Sequence, residues 1–458
     1  MSAVSPAVSA PPASRAVHRG RAIVWGGYAL VLLVAPMLLA SNLERSVLTQ
    51  IGIGIIACLS YNMLLGQGGM LSFGHAVYTG LGTFVAVHAM LGIANGSFLV
   101  PMSLVPLVGG VAGMFFAALL GYVTTKKAGT PFAMITLGIG ELVAPMVLII
   151  PEFFGGEGGI AVNRSAGPAL LGITYGPQIQ VYYLVAVYTF VCTAAMFAFT
   201  RTPLGRMLNA VRDNPERVEF IGYSTQRVRY FSFVIAGFFA GISGGLYAVH
   251  FEIATPDVVG AARSGAYLLF TFLGGATFFF GPIIGAVLMV VGFALFSEVT
   301  KAWQLYLGLI FMFMVMYAPG GIASLLMMNV RVAKHRKLHR LWGWYAAMAA
   351  AVAVMLVGAA ALIEMIYHLQ LSGAGETVMR YLGVTLDTSN ALSWVGGAVV
   401  FAIGMAALEF VRRRFALAWG AIQTEIEADM TFKEPTPVEM PADVPEPGAA
   451  ASAAAGKP

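Results

Sequence analysis

The sequence predicts an all-α fold, a polytopic integral membrane helical bundle of about twelve spans with both termini cytoplasmic. Three observations predict it. Hydrophobic residues fill 59% of the 458 positions and charged residues only 10%, whereas a water-soluble core is normally matched by about 25% charged residues. Mean hydropathy is +0.81, and the apolar residues gather in blocks near the roughly 20 that an α-helix needs to cross the hydrocarbon layer. No run alternates in the roughly ten-residue pattern of a membrane barrel.

In order, the spans read as residues 22–40, 47–65, 70–92, 99–123, 131–151, 180–200, 230–250, 264–280, 282–300, 304–326, 341–368 and 391–411. The first follows Arg15, Arg19 and Arg21 and ends Leu39-Ala40-Ser41, which resembles a secretory signal. Eleven further spans follow, so it reads as an uncleaved span behind a cytoplasmic tail, residues 1–21. Cys58 and Cys192 lie inside apolar runs and read as small buried hydrophobes. Cytoplasmic loops should hold most of the Lys and Arg. With the N-terminus inside, only Arg45, Arg164, Arg263, Lys301 and Arg380 of the 26 fall on the far side. The net charge of +5 is then a topology signal, with no nucleic-acid partner implied, because the bases are scattered at helix ends.

The largest internal cytoplasmic loop is Thr200–Tyr230, TRTPLGRMLNAVRDNPERVEFIGYSTQRVRY. Asn214 suits a helix cap, Pro215 the first turn and Gly222 the left-handed position past the end, so Pro215–Ile221 reads as one short helix. Val218 and Ile221 share one face, leaving Glu216, Arg217 and Glu219 for water. Such a helix serves either as a handle for a soluble motor or as a solvated connector, and spacing alone leaves both open.

GQGGMLSFGH, Gly66–His75, interrupts an otherwise apolar stretch. Its glycines weaken a continuous helix, and irregular backbone at membrane depth persists only where protein or a water-lined cavity satisfies its polar groups. A helix break or re-entrant corner follows. Gln67, Ser72 and His75 then either line a pathway or satisfy neighbouring backbone as local glue. No second ligand stands near His75 at metal-binding spacing. Glu141 lies about ten residues into its span, near mid-membrane, where a carboxylate is costly. It is a further pathway candidate, and it is the group that an ion-coupled secondary transporter would use. The four-residue spacing of Gly237, Gly241 and Gly245, and of Gly281 and Gly285, predicts close helix packing.

The loop and its following span, TPLGRMLNAVRDNPERVEFIGYSTQRVRYFSFVIAGFFAGISGGLYA, closely resemble the LivM-like permeases of branched-chain amino acid ABC importers. GQGGMLSFGHAVYTGLGTF is similar to that family's N-terminal signature. GTPFAMITLGIGELV and GGEGGI resemble its middle, and LGGATFFFGPIIGAVL and WQLYLGLIFMFMVMYAPGGIASLL its C-terminal part. Together these cover about residues 45–328 in the family's order. The resemblance implies a docking element for an ATPase, formed by Glu216, Glu219 and Gly222 with Arg212, Asp213 and Asn214 leading into it. The literal Glu-Ala-Ala triplet of such elements is absent. It also places Gln67, Ser72 and His75 near the translocation path.

No G-x-x-x-x-G-K-[ST] loop occurs, nor a soluble stretch long enough for a nucleotide-binding domain. No Ser/His/Asp, Cys/His or paired-carboxylate arrangement suggests an enzyme, so ATP and Mg belong to partner subunits and this chain needs no cofactor. The resemblance implies a second related permease, two ABC ATPase subunits and an extracytoplasmic solute-binding protein, in a bacterial plasma (inner) membrane. Leucine, isoleucine and valine are the expected cargo. Similar permeases carry urea, short amides or nucleosides. The permease domain reads as 22–328, and an added basic segment with a two-span hairpin as 329–411. Its basic cluster Arg331–Arg340, with Arg412–Arg414 after the hairpin, suits anionic membrane lipid. Residues 412–458, rich in Pro, Ala and Glu toward the end, read as a disordered cytoplasmic tail.

Overall fold

The computed structural model describes residues 13–431 apart from 40, 99, 168–171, 301, 336–337, 372–377 and 382–383. Lys301, Lys433, Lys457 and the tail from residue 432 therefore lie outside the described residues. The contacts divide the chain between Met327 and Met328.

The first unit is built from α1 (Ala13–Leu38), α2 (Asn42–Gly68), α3 (His75–Ala94), α4 (Val105–Thr124), α5 (Thr130–Ile149), α6 (Pro151–Phe154), α7 (Gln178–Phe199), α8 (Pro203–Asp213), α9 (Pro215–Phe220), α10 (Thr225–Phe251), α11 (Ala261–Gly274), α12 (Gly281–Val299) and α13 (Trp303–Tyr317). α14 (Gly321–Lys334) leads into the second unit. A two-residue ribbon pairs β1 (Ile160–Ala161) antiparallel with β2 (Ile253–Ala254). Among the described residues, eight segments are long and apolar enough to cross a membrane, or nine if the pair α13 and α14, bent by 51°, forms one span. The apolar stretches of α1 and α12 are shorter. Twelve spans were expected; among the stretches that differ is 264–280. There the helix ends at Gly274, and its 14 residues rise only about 21 Å against a hydrocarbon core of about 30 Å.

α2, α3 and α10 form the centre. α4 and α10 touch backbone to backbone because glycines face each other along both: a Cβ on Gly109 would lie 3.0 Å from Gly245 Cα, and one on Gly241 would lie 2.9 Å from Gly113 Cα. The predicted small-residue face of α10 is this seam. Gly281 and Gly285 likewise bed α12 on Gly274, Gly275 and Phe270 of the preceding turn and helix.

The bundle has two distinguishable ends. At the loop end, Tyr230 donates to Ala118 O at 3.1 Å, joining the start of α10 to the end of α4, and Leu208 of α8 packs on Gly68 at the end of α2. At the ribbon end, Ser46 near the start of α2 and Gln178 at the start of α7 each lie 3.2 Å from a ring nitrogen of His250. Arg164 there bonds the carbonyls of Tyr175 and His250, and its backbone N–H donates to Glu252 at 2.8 Å. Lys126 and the loop arginines thus share one end and Arg164 stands at the other, the alternation that the charge pattern requires.

Two crossings are partly non-helical. α2 stops at Gly68, capped by Gly69 in the left-handed region (φ +61°), and residues 69–74 run back alongside it. Tyr61 donates to Ser72 O at 2.9 Å, and Phe73 N–H to Thr136 Oγ1 at 3.1 Å. Gly74 lies against the Thr136 carbonyl, where a side chain has no room. From the ribbon end, the turn Pro256–Val259 descends with Val258 and Val259 buried on Gly80, and α11 completes the passage, ending near Ala276, whose carbonyl abuts Gly66. The two crossings meet where Ala76 N–H donates to Ser264 Oγ at 3.0 Å.

In the second unit α15 (Trp342–Leu371) and α16 (Ala391–Thr431) pack as a hairpin, linked by the ribbon of β3 (Val378–Tyr381) and β4 (Val384–Asp387). Gly358 and Gly404 let their backbones approach: a Cβ on Gly358 would lie 2.7 Å from Phe401 Cα. Val332, Leu341 and Ile422 form a small buried cluster with Tyr345, Phe415 and Trp419 around it. The expectation of a disordered tail from Arg412 fails here. α16 continues through Arg412–Arg414 to Thr431, with Glu409 paired to Arg412 and Arg413 at i+3 and i+4.

Where Gly109, Gly113, Gly241 and Gly245 meet, backbone lies against backbone, so enlarging Gly241 forces the helices apart. Gly241→Leu should lose about 1–3 kcal/mol or more, read as a lower melting temperature and reduced membrane yield. Gly138→Ala, where nothing lies within 4 Å of the new methyl, should leave both unchanged.

Candidate functional site

The loop between α7 and α10 folds into two helices. Thr202 caps α8 by accepting from Gly205 N–H at 3.2 Å, and Pro203 occupies its first turn. Sequence reasoning placed only one helix in this loop, Pro215–Ile221, and none over this stretch. The missed signal is the Thr202-Pro203 start followed by Leu204, Leu208 and Val211 at helical spacing, of which Leu208 and Val211 are buried. α9 matches its expectation closely: Asn214 Oδ1 accepts from Arg217 N–H at 3.0 Å, and Gly222 takes φ +88°.

The apolar face of α9 differs from the expected one. Val218 is buried, but Ile221 is 66% exposed, and Phe220 beside it is 88% exposed. With Tyr223, also exposed, they make an exposed apolar tip at the end of α9. Of the expected docking residues, Glu216 and Asp213 are exposed, Arg212 pairs with Asp213 at 2.9 Å, and Glu219 accepts from Thr225 at 2.7 Å.

Arg212 also ties the loop to the glycine break. Its guanidinium donates to Gly66 O, and its stem lies over Gly69, where a Cβ would come within 2.8 Å of Arg212 Cγ. Leu208 fills the space beside Gly68. The glycines of GQGG therefore do two jobs. Gly69 supplies the left-handed cap, and the absence of side chains lets α8 and Ala276 seat directly on backbone.

The residues proposed from sequence for a pathway are not brought together. Gln67 lies in the last turn of α2, half-buried. Ser72 and His75 are fully buried. His75 Nε2 lies 2.9 Å from Ser60 Oγ, which itself donates to Ala57 O at 2.7 Å. The single serine hydrogen is thus committed, and Nε2 carries the proton as donor. Tyr61, Tyr78 and Tyr267 surround the imidazole edge-on at 5.2–6.4 Å. Glu141 lies on the exposed face of α5. None of the four lines a cavity of about 1000 Å³ that opens between several helices.

That cavity lies toward the ribbon end, between α2, α10, the turn Pro256–Val259, α11, α12 and α13. Its walls are mostly apolar, with Gln50, Asp257, Arg263 and Gln304 among the polar groups. Sequence reading used Arg263 only as a topology marker and did not single out Asp257. Nothing local marks them, because the walls come from residues as distant as Gln50 and Gly308.

A family model described as branched-chain amino acid transport system / permease component matches residues 45–320. The chain belongs to that family. This permease is 28% identical over 316 residues to the high-affinity branched-chain amino acid transport system permease protein LivM of Salmonella typhimurium, covering 64% of this chain and 73% of the relative. Identity and coverage are the same for LivM of Escherichia coli (strain K12). It is 22% identical over 264 residues to the permease protein LivH of Escherichia coli (strain K12), covering 53% of this chain and 81% of the relative. No solved structure matches it significantly. The family region contains the whole loop, both non-helical crossings and the cavity, and ends before the second unit of the permease begins.

The Asn214 cap holds α9 at the angle that presents its tip. Asn214→Ala should cost about 1 kcal/mol. Amide exchange over Pro215–Phe220 should then speed up about fivefold, measured by hydrogen–deuterium exchange, with α8 unaffected.

Proposed function

We propose that this permease pairs with a second member of its family in the bacterial plasma membrane, and that two ATPase subunits drive the pair to import leucine, isoleucine and valine handed over by an extracytoplasmic binding protein. The observation that carries the reading is the mechanical continuity from the tip of α9, through Arg212, to Gly66 and the break that follows. A solvated connector has no need of an exposed Phe220–Ile221–Tyr223 tip, nor of an arginine bonded to the backbone of the last turn of α2. A soluble motor needs both. Likeness to LivM and LivH alike supports a pair of related permeases.

On this reading the loop end faces the cytoplasm, in keeping with its arginines, and the ribbon end receives substrate. ATP and Mg stay on the partner subunits, since this sequence has no phosphate-binding loop. Nucleotide binding closes the motor dimer and moves the α9 tip. α8 passes the displacement to the end of α2 and to residues 69–74, which abut α5 at Thr136 and α11 at Ser264. The pathway then switches between its outward and inward forms, biased by the difference in motor contacts between the two states.

Phe220→Asp and Ile221→Asp place a charge in the proposed motor contact without touching the bundle. Leucine uptake should fall at least tenfold, with loss of ATPase subunits on affinity purification in mild detergent. Glu216→Lys should weaken the same contact. Wild-type uptake in all three would overturn the docking role.

A further inference from the structure

Among the described residues, Arg263 forms no ion pair. It stands in the first turn of α11 and lines the cavity at the level of Gln50 and Ile53 of α2. Those residues lie about 12–16 Å along that helix from its ribbon end by helical rise. A cation at such depth is costly and marks an ion or substrate path by default. Among the described residues it makes no ion pair, and its close neighbour is the ring of Tyr247, 4.8 Å from the guanidinium. Asp257, in the turn before α11, lines the same cavity and also makes no ion pair among the described residues. Two opposite charges thus share one chamber without neutralising each other. Met289, Phe293 and Leu307 line the same chamber.

The geometry points to a binding site for a free amino-acid zwitterion with an apolar side chain, in which Arg263 takes the carboxylate, Asp257 the ammonium, and Met289, Phe293 and Leu307 the hydrocarbon. This rests on the import reading and deepens it by naming where cargo pauses within this subunit. Three features agree. The chamber volume suits a small ligand with some of its water. α11 begins inside the bundle, so the positive end of its dipole adds to Arg263 at the carboxylate position, as half-helices do in transporters. The chamber lies at the end opposite the α8–α9 loop, the side from which a binding protein delivers.

The test uses the assembled complex of both permeases and both ATPases in detergent, without binding protein, and equilibrium binding of radiolabelled leucine. Wild type should bind saturably. Valine and isoleucine should compete, whereas leucinamide, lacking the carboxylate, and 4-methylpentanoate, lacking the ammonium, should compete at least tenfold less well. Arg263→Gln should weaken leucine at least tenfold and leave leucinamide unchanged, and Arg263→Lys should recover part of the loss. Asp257→Asn should do the same for leucine against 4-methylpentanoate. Subunit recovery should be unaltered in each. Equal losses for leucine and leucinamide in Arg263→Gln would mark a structural role and overturn the site, as would unchanged leucine binding in both variants. Absence of leucine uptake by wild-type complex in vesicles with binding protein and ATP would instead overturn the import reading itself.

Discussion

A peptide group at membrane depth must find its hydrogen-bond partner within the protein, because hydrocarbon offers none. Helices meet this demand by themselves. The two crossings that are not wholly helical meet it with side chains from elsewhere. Tyr61 and Thr136 serve residues 69–74, and Ser264 serves the first turn of α3. Those donors and acceptors come from α2, α5 and α11, so the centre of the bundle is assembled around the needs of two short pieces of backbone. Breaking α2 and the 253–260 segment is what opens space for a chamber on one side and a seat for α8 on the other.

Much of this was legible in the sequence, for a stated reason in each case. Apolar blocks reveal membrane helices because the bilayer imposes one length on all of them. GQGG was readable as a break because glycine weakens a helix wherever it falls, and the seam on α10 was readable because four-residue spacing places glycines on one face. Asn214 and Gly222 bounded α9 because caps are local chemistry. What failed was non-local. α8 is held by burial of Leu208 and Val211, which no composition reveals in a polar loop. The span expected at 264–280 was misplaced because hydropathy averages over a window, while the real passage combines a turn, a 14-residue helix and the glycine turn after it. The cavity at the ribbon end was not legible either, because its lining comes from six elements.

His75 shows the same limit at one residue. In sequence it stands beside a break and invites a transport role. In the fold it is fully buried, bonded to Ser60 and ringed by tyrosines, and it fixes the start of α3 against α2. Polarity at membrane depth served construction there, and the charged pair facing the chamber came from a stretch that hydropathy treats as a boundary.

The glycine seam between α4 and α10 bears on how such a machine can move. Two helices in direct backbone contact hold no rotamers to exchange and no gap to compress, so they travel as one rigid body. α10 starts at the loop and ends at the ribbon, and the seam stiffens it along its membrane length. The partly non-helical crossings, the six residues after α2 and the turn before α11, are held by side chains and not by a second glycine face.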